Sequence, residues 1–430
     1  MHYRRRDFIN LSFITAGAAM LTGFSVHKDQ KNKPGHERAP GTDPSLHVDI
    51  IPIGLAERQT RIEKARRLMH EQDTRAMVLD AGTALEYFTG VSWWPSERTL
   101  VAIIPARGEP AFVCPAFEEP RLRELIKIGK KVFVWQEDES PFKQIALAFK
   151  DLDIQTGNIG IEEQMRFFIL DGMRKAAPHF RFVSADPVTI PCRLIKSPAE
   201  IALMQKANDI TVEAIKTGIR NLQEGMLPDD CAAVITKTHL QYGATPDFAL
   251  ILFGEASAFP HGDGKPKKLA KGNIVLMDCG CRVEGYSSDI TRTIVFGAEP
   301  TSRQMEIWNL EQKAQAAGFA AARPGAACEE VDAAARKVLT DAGFGPGYKL
   351  PGLPHRTGHG IGMDGHEWGN MIKGNKQPLQ PGMCFSIEPT LSIPGEFGIR
   401  LEDCVYMTEE GAKWFSTPAL SIHEPFKNRD

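Results

Sequence analysis

Apolar residues along this chain follow two periods, and the change from one to the other divides it. Over residues 58–72 they recur at helical spacing, and 76–80 is a short apolar run with the pattern of a strand. Strand-like runs return at 100–104, 111–114, 131–134 and 158–161 with helical stretches between them, which predicts a first α/β domain of ~140 residues. Ser197, Pro198 and Glu200 then fall at the N-cap, N1 and N3 spacing of a capping box. They open a helix expected to run to about residue 221 and place the domain boundary near Pro191. In the second half, 273–280 is an apolar strand carrying Asp278, and 285–296 reads as its return strand carrying Asp289. A strand over 383–389 ends in Glu388, and one over 398–406 carries Glu402. Each predicted hairpin therefore has one acid on each arm. Residues 225–237 parallel 325–337, each set preceding one hairpin, so the half reads as a repeat whose two copies donate two carboxylates apiece about a pseudo-twofold axis.

The first residues belong to neither domain. Arg5-Arg6-Asp7-Phe8-Ile9 precedes an apolar, small-residue stretch at 11–24 that is short for a membrane span. Residues 1–30 resemble a twin-arginine export signal, which implies a periplasmic protein with no stable membrane insertion after signal removal, or an anchored one if the signal is kept. Residues 31–50 read as a linker, 51–192 as the first domain and 193–430 as the second.

Composition narrows the class without naming a chemistry. The 430 residues are 42% hydrophobic and 24% charged with a net charge of −3. That is ordinary for a globular protein and offers no basic footprint for nucleic acid. Small molecules or peptides are the expected partners. The eight cysteines lack metal or disulfide-framework spacing. Cys279 and Cys281 read as strand packing, and a disulfide between the two hairpins is left open by sequence. The pair Trp93-Trp94 reads as core or interface packing ahead of a substrate edge.

The chemistry gathers at His355-Arg-Thr-Gly-His359-Gly-Ile-Gly-Met-Asp-Gly-His366-Glu367, three histidines among glycines that do not suit a helix. Carboxylates stand in strands on both sides of it. A lone buried carboxylate is costly, and four around an imidazole require a cation. Asp278, Asp289, His359, Glu388 and Glu402 form a hard, mostly oxygen donor set that suits a pair of Mn²⁺, Co²⁺, Zn²⁺ or Fe²⁺ ions. Such a pair, ~3.5–4 Å apart, generates a hydroxide nucleophile and clamps the carbonyl it attacks, which implies hydrolysis.

With these motifs in place, residues 193 to about 408 resemble the pita-bread metallopeptidases: Xaa-Pro aminopeptidase, prolidase and methionine aminopeptidase, with metal-free creatinase as a relative. The resemblance rests on D-x-G followed by G-Y-x-S-D-I-T-R-T, H-x-x-G-H-G-I-G, S-I-E-P and R-x-E-D. It extends back to about residue 51 through a creatinase-like N-terminal domain. It implies an α/β (α+β) fold with a pseudo-twofold catalytic domain, the five metal ligands above with Mn²⁺ foremost, and a homodimer. It further implies that Glu388 is both ligand and general base. His261 would contact the scissile region, His366 would stabilise the gem-diolate oxyanion, His355 would assist substrate binding or proton movement, and Arg400 would brace the ligands. The family usually continues x-Pro after the His-Glu matched by His366-Glu367. Here Trp368-Gly369-Asn370 follows, so Trp368 is expected either to wall the substrate pocket or to pack into the core. The implied activity is an exopeptidase cutting before proline, aminopeptidase ahead of prolidase. Hydrolysis of another small amide and a non-enzymatic peptide-binding module are the alternatives.

Overall fold

The computed structural model of the chain describes Leu46 and residues 50–426; the twin-arginine-type segment and most of the proposed linker lie outside them. The first domain is a six-stranded mixed sheet, β1 (Thr74–Asp80), β2 (Val101–Pro105), β3 (Ala111–Pro115), β4 (Lys131–Trp135), β5 (Gly157–Ile161) and β6 (Phe180–Ser184), in the order β4-β3-β2-β1-β5-β6. Its helices are α1 (Leu55–Glu71), α2 (Thr83–Thr89), α3 (Glu119–Leu125), α4 (Pro141–Asp151), α5 (Phe167–Ala176) and α6 (Asp186–Leu194). β1 is apolar from Ala76 to Leu79 because both its faces are covered there. Met77 and Leu79 pack with Ile62 and Met69 of α1, while Ala76 and Val78 pack with Phe149 of α4 and Met173 of α5.

α7 (Pro198–Arg220) opens with the expected cap: Glu200 N–H donates to Ser197 Oγ at 3.2 Å, and Ser197 N–H to Glu200 Oε2 at 2.8 Å. It continues into α8 (Pro228–Gln241), β7 (Thr245–Phe253), β8 (Ile274–Val283), β9 (Tyr286–Ser287) and β10 (Ile290–Val295). The second half of the repeat is α9 (Ser302–Ala321), α10 (Cys328–Asp341), β11 (Gly358–Gly360), β12 (Glu367–Met371), β13 (Cys384–Ile387), β14 (Thr390–Ile393), β15 (Phe397–Arg400), β16 (Asp403–Thr408) and β17 (Gly411–Trp414). Backbone bonding makes the repeat explicit. Gly225 N–H donates to Leu269 O and Leu269 N–H to Met226 O; Gly325 N–H donates to Leu379 O and Leu379 N–H to Ala326 O. β8 and β13 follow these turns, so Asp278 and Glu388 arise at equivalent places.

Two expected strands are broken. The return strand after Asp278 splits into β9 and β10 around Ser288-Asp289, and the strand carrying Glu402 splits into β15 and β16. β13 pairs directly with β16, Ile387 opposite Asp403, while β14 and β15 form a separate hairpin between them. Pro389 has no N–H to continue the β13 ladder, and Glu402 instead bridges Thr291 of the other sheet. Three of the four acids thus stand at strand breaks, where the backbone turns them inward.

All eight cysteines are buried and free, so no disulfide joins the hairpins. Trp94 is 81% exposed rather than packed, and Trp93 lies half-buried with the Arg121 guanidinium 4.8 Å above its ring. No helix of the described residues is long and apolar enough to cross a membrane.

Candidate metal centre

The site forms where the two halves of the repeat meet. Glycines on either side of His359 let its strand approach its neighbours. A Cβ on Gly358 would stand 1.9 Å from Ser386 O, and one on Gly360 1.8 Å from Trp368 O, so only glycine fits at either position. His359 is thereby held in β11 with its N–H donated to Ser386 Oγ at 3.0 Å. Its Nδ1 lies 3.1 Å from Gly360 O; a carbonyl only accepts, so Nδ1 carries the proton and Nε2 presents a lone pair. That lone pair faces Asp289 Oδ2 at 3.6 Å and Glu388 Oε1 at 3.5 Å.

The remaining donors close around it. Asp278, Asp289 and Glu402 each offer an oxygen within 4.8 Å of the others, His359 offers a ring nitrogen within that distance of oxygens of Glu388 and Glu402, and a third group joins Asp289, His359 and His366. Glu402 belongs to both of the first two groups, the arrangement of a carboxylate that serves two cations. Four buried atoms here have no hydrogen-bond partner: Asp278 Oδ1, Asp289 Oδ1, His359 Nε2 and Glu402 Oε1. Buried polar atoms are seldom left so, and four aimed at one space fit a pair of divalent metals. Titration agrees. Burial and the neighbouring acids push Asp289 and Glu402 well above the usual carboxylate range, and burial raises Glu388 to about 7 against the pull of Arg400. Burial also holds the His359 imidazole well down, in its neutral ligand form.

Bracing is denser than the motifs alone suggest. Arg400, 4% exposed, reaches Asp278 Oδ2 at 2.5 Å, Thr291 Oγ1 at 3.2 Å and Pro260 O at 3.3 Å. Thr291 in turn donates to Glu402 Oε2 at 2.7 Å, so one guanidinium orients two acids. Behind them Arg292 and Asp403, both fully buried, pair at 2.7 Å, and Arg292 also donates to Glu402 O and Thr291 O. Thr291, Arg292 and Asp403 escaped sequence reading. The only signal was their adjacency to the acids, in the T-R-T and E-D of the motifs. Asp289 is set by its preceding loop: Ser287 N–H donates to Gly362 O, Ser288 Oγ meets Thr211 Oγ1, and Tyr286 Oη donates to Glu200 Oε1 and accepts from Arg61 of α1.

The outer residues divide between two cavities. One of about 800 Å³ is lined by the metal donors Asp278, Asp289, His359 and Glu388 together with His261, His355, His366, Arg356 and Arg400, and walled by Phe248, Leu250, Tyr348 and Ile372. His366 is exposed, its ring 4.1 Å from that of His359, and burial followed by the Arg356 charge lowers its pKa. His355 is held neutral by burial, its pKa lowered to about 4, with Nδ1–H on Arg356 O and Nε2 against Thr390 Oγ1. His261 lies at the exposed rim. Trp368 is not brought to this cavity. It is 47% exposed, neither core nor wall of the metal site, and its Nε1–H donates to Glu163 Oε2 of the first domain at 2.7 Å. It lines the adjoining cavity of about 320 Å³ between the domains, which shares only Arg356 and His366 with the larger one.

The same architecture occurs in known proteins. A peptidase of Schizosaccharomyces pombe, itself uncharacterised, is 34% identical over 402 residues, covering 89% of this chain and 86% of its own. A prolidase of Thermococcus sibiricus matches with a TM-score of 0.78 at 28% identity, covering 85% of this chain and 98% of that one. A dipeptidase of Mycobacterium ulcerans matches with a TM-score of 0.77 at 31% identity over 85% and 97%. The creatinase/prolidase N-terminal domain matches residues 61–195, and metallopeptidase family M24 matches residues 202–409. Likeness over nearly the whole of both chains, in sequence and in fold, carries the conclusion that this chain belongs to metallopeptidase family M24 and is a hydrolase with the creatinase-like, pita-bread architecture.

Proposed function

We propose that the enzyme is a dinuclear-metal exopeptidase that hydrolyses the Xaa-Pro bond of dipeptides. The observation that carries it is a cavity lined both by Asp278, Asp289 and His359, which carry unpartnered ligand atoms, and by the apolar side chains of Phe248, Leu250, Tyr348 and Ile372, suited to a pyrrolidine ring. Solved neighbours named as prolidase and dipeptidase support the substrate class. A bound metal pair supplies a hydroxide nucleophile at neutral pH and polarises the carbonyl, with Mn²⁺ the ion proposed.

The chain's own groups do the rest. Glu388, its Oε1 3.5 Å from His359 Nε2, accepts the proton of the attacking water and returns it towards the leaving amine. His366 donates to the oxyanion from beside His359. His355 positions substrate from its neutral ring, His261 contacts the scissile region from the rim, and Arg400 holds Asp278 and, through Thr291, Glu402. A second cavity that shares Arg356 and His366 with the metal cavity favours a further reading, an Xaa-Pro aminopeptidase that admits longer peptides. Protein loaded with Mn²⁺, Co²⁺ or Zn²⁺ and given Xaa-Pro, Xaa-Pro-Yaa and non-proline controls separates these. Dipeptide cleavage alone supports the proposal, N-terminal release from Xaa-Pro-Yaa moves it to the aminopeptidase, and no turnover with two metals bound sinks both. Export by the twin-arginine-type segment and homodimerisation are part of the proposal and rest on the sequence.

A further inference from the structure

Three arginines line the cavity of the metal centre, and two of them are matched. Arg400 is held by Asp278, and Arg282 pairs with Asp247 at 3.0 Å. Arg356 is different: among the described residues no hydrogen bond or ion pair engages its guanidinium. It is half-buried and lines both cavities. Its charge reaches the centre of the site, acting after burial on His366, His359, His355 and Glu388.

The acids nearby are committed elsewhere. Asp364 and Glu367 both hold Arg193 at 2.6 Å, and Lys196 adds a 2.8 Å bond to Glu367. Glu163 accepts from Trp368, and Glu162 accepts the backbone N–H of Gln164. Within the metal cavity the other guanidiniums are matched, Arg400 by Asp278 and Arg282 by Asp247, and burial keeps His355 and His359 neutral. One positive charge is left over, half out of water, with a planar fork of donors that matches a carboxylate.

A dipeptide carries its α-carboxylate at a fixed remove from the scissile bond, on the Cα next to the departing nitrogen. A longer peptide or an amide has no charge there. We propose that Arg356 binds the free α-carboxylate of a dipeptide substrate, so that the enzyme reads peptide length as a terminal charge beside its metal centre. This rests on the peptidase reading above. It makes Arg356 a specificity residue, and it explains why an arginine in the cavity is left unmatched by the protein itself.

The test compares Ala-Pro, Ala-Pro amide and Ala-Pro-Gly on Mn²⁺-loaded wild type, Arg356→Gln and Arg356→Lys. A charge-assisted bond lost from the complex is expected to make wild type prefer the free acid over the amide by roughly 10- to 100-fold in kcat/KM. In Arg356→Gln the preference falls to about one, chiefly through KM, and Arg356→Lys keeps part of it. Calorimetric binding of L-proline against L-prolinamide reads the same contact without turnover: Arg356→Gln weakens proline selectively. Metal content and thermal melting matched to wild type establish that the variant is folded. Equal losses on acid and amide by a folded variant, or a wild type indifferent to amidation, would overturn the proposal. Efficient cleavage of Ala-Asp amide that needs Arg356 would also overturn it, by assigning the arginine to a side-chain carboxylate. Absence of all turnover would fail the peptidase reading instead, and the proline and prolinamide titrations would still decide on Arg356.

Discussion

The Arg292–Asp403 pair is the place where stability and metal geometry are most directly joined. Both side chains are fully buried. Arg292 donates to Asp403 at 2.7 and 3.2 Å and to the carbonyls of Thr291, Glu402, Thr417 and Pro425 at 2.9–3.0 Å. Asp403 also accepts from Gln315 at 3.1 Å and Ser416 at 2.5 Å. Arg292→Met leaves that carboxylate buried with neutral donors alone, a loss expected to cost about 3–5 kcal/mol. At the ~2 °C per kcal/mol of a large chain this lowers Tm by roughly 6–10 °C. Since Arg292 also fixes the backbone on either side of the bridge between Thr291 and Glu402, metal affinity should fall with it. Thermal melts of Arg292→Met, Asp403→Leu and the double variant, with metal content on each, form the assay. The double variant should be less destabilised than the sum of the singles by ~2 kcal/mol or more, because no lone charge is left inside. Additivity within ~0.5 kcal/mol would refute the reasoning.

Three further predictions follow from single sites. Gly360→Ala drives a methyl to 1.8 Å from Trp368 O and should abolish stoichiometric metal binding, whereas Gly365→Ala, with open space around its Cβ, should leave metal content intact. Burial raises Glu162 to about 7, so the folded state holds its proton more tightly than the unfolded chain. Wild type should then lose stability as pH rises from about 4.5 to 7, and Glu162→Gln should be more stable than wild type above pH 7, by up to ~3 kcal/mol, but not at pH 4, as read by urea melts. Arg5→Lys/Arg6→Lys should retain the protein in the cytoplasm on cell fractionation, while unchanged export would remove the twin-arginine reading.

Local signals were legible in the sequence where a local rule sufficed. The cap at Ser197-Pro198-Glu200 depends on three neighbouring residues and appears as expected. Each acid lies in a strong strand pattern, so the meeting of Asp278, Asp289, Glu388 and Glu402 about His359 was within reach once two hairpins and a repeat were recognised. The strand breaks were hidden, because apolar Phe397, Ile399, Leu401, Cys404 and Val405 run through 397–406 on either side of the charged residues, and only the bridge from Glu402 to Thr291 in the other sheet interrupts the strand. Arg292 and Asp403 could not be paired from sequence, since nothing local distinguishes a surface Arg from one whose partner lies 111 residues away. The same limit applies to Trp368. Its place was decided by Glu163, 205 residues earlier, so the indole, expected to wall the substrate pocket or to pack into the core, reaches across to the first domain and lines the adjoining cavity.

The central claim is that the orphaned atoms of Asp278, Asp289, His359 and Glu402 exist to hold a metal pair beside Glu388. Its most direct measurement is metal content by plasma mass spectrometry after chelation and reloading, on wild type and His359→Ala, with Xaa-Pro hydrolysis followed in parallel. The account predicts two divalent ions per wild-type chain, activity lost on chelation and restored on reloading, and failure of His359→Ala to retain the pair. Full hydrolysis by chelated protein, or two tightly held ions in His359→Ala, would contradict it.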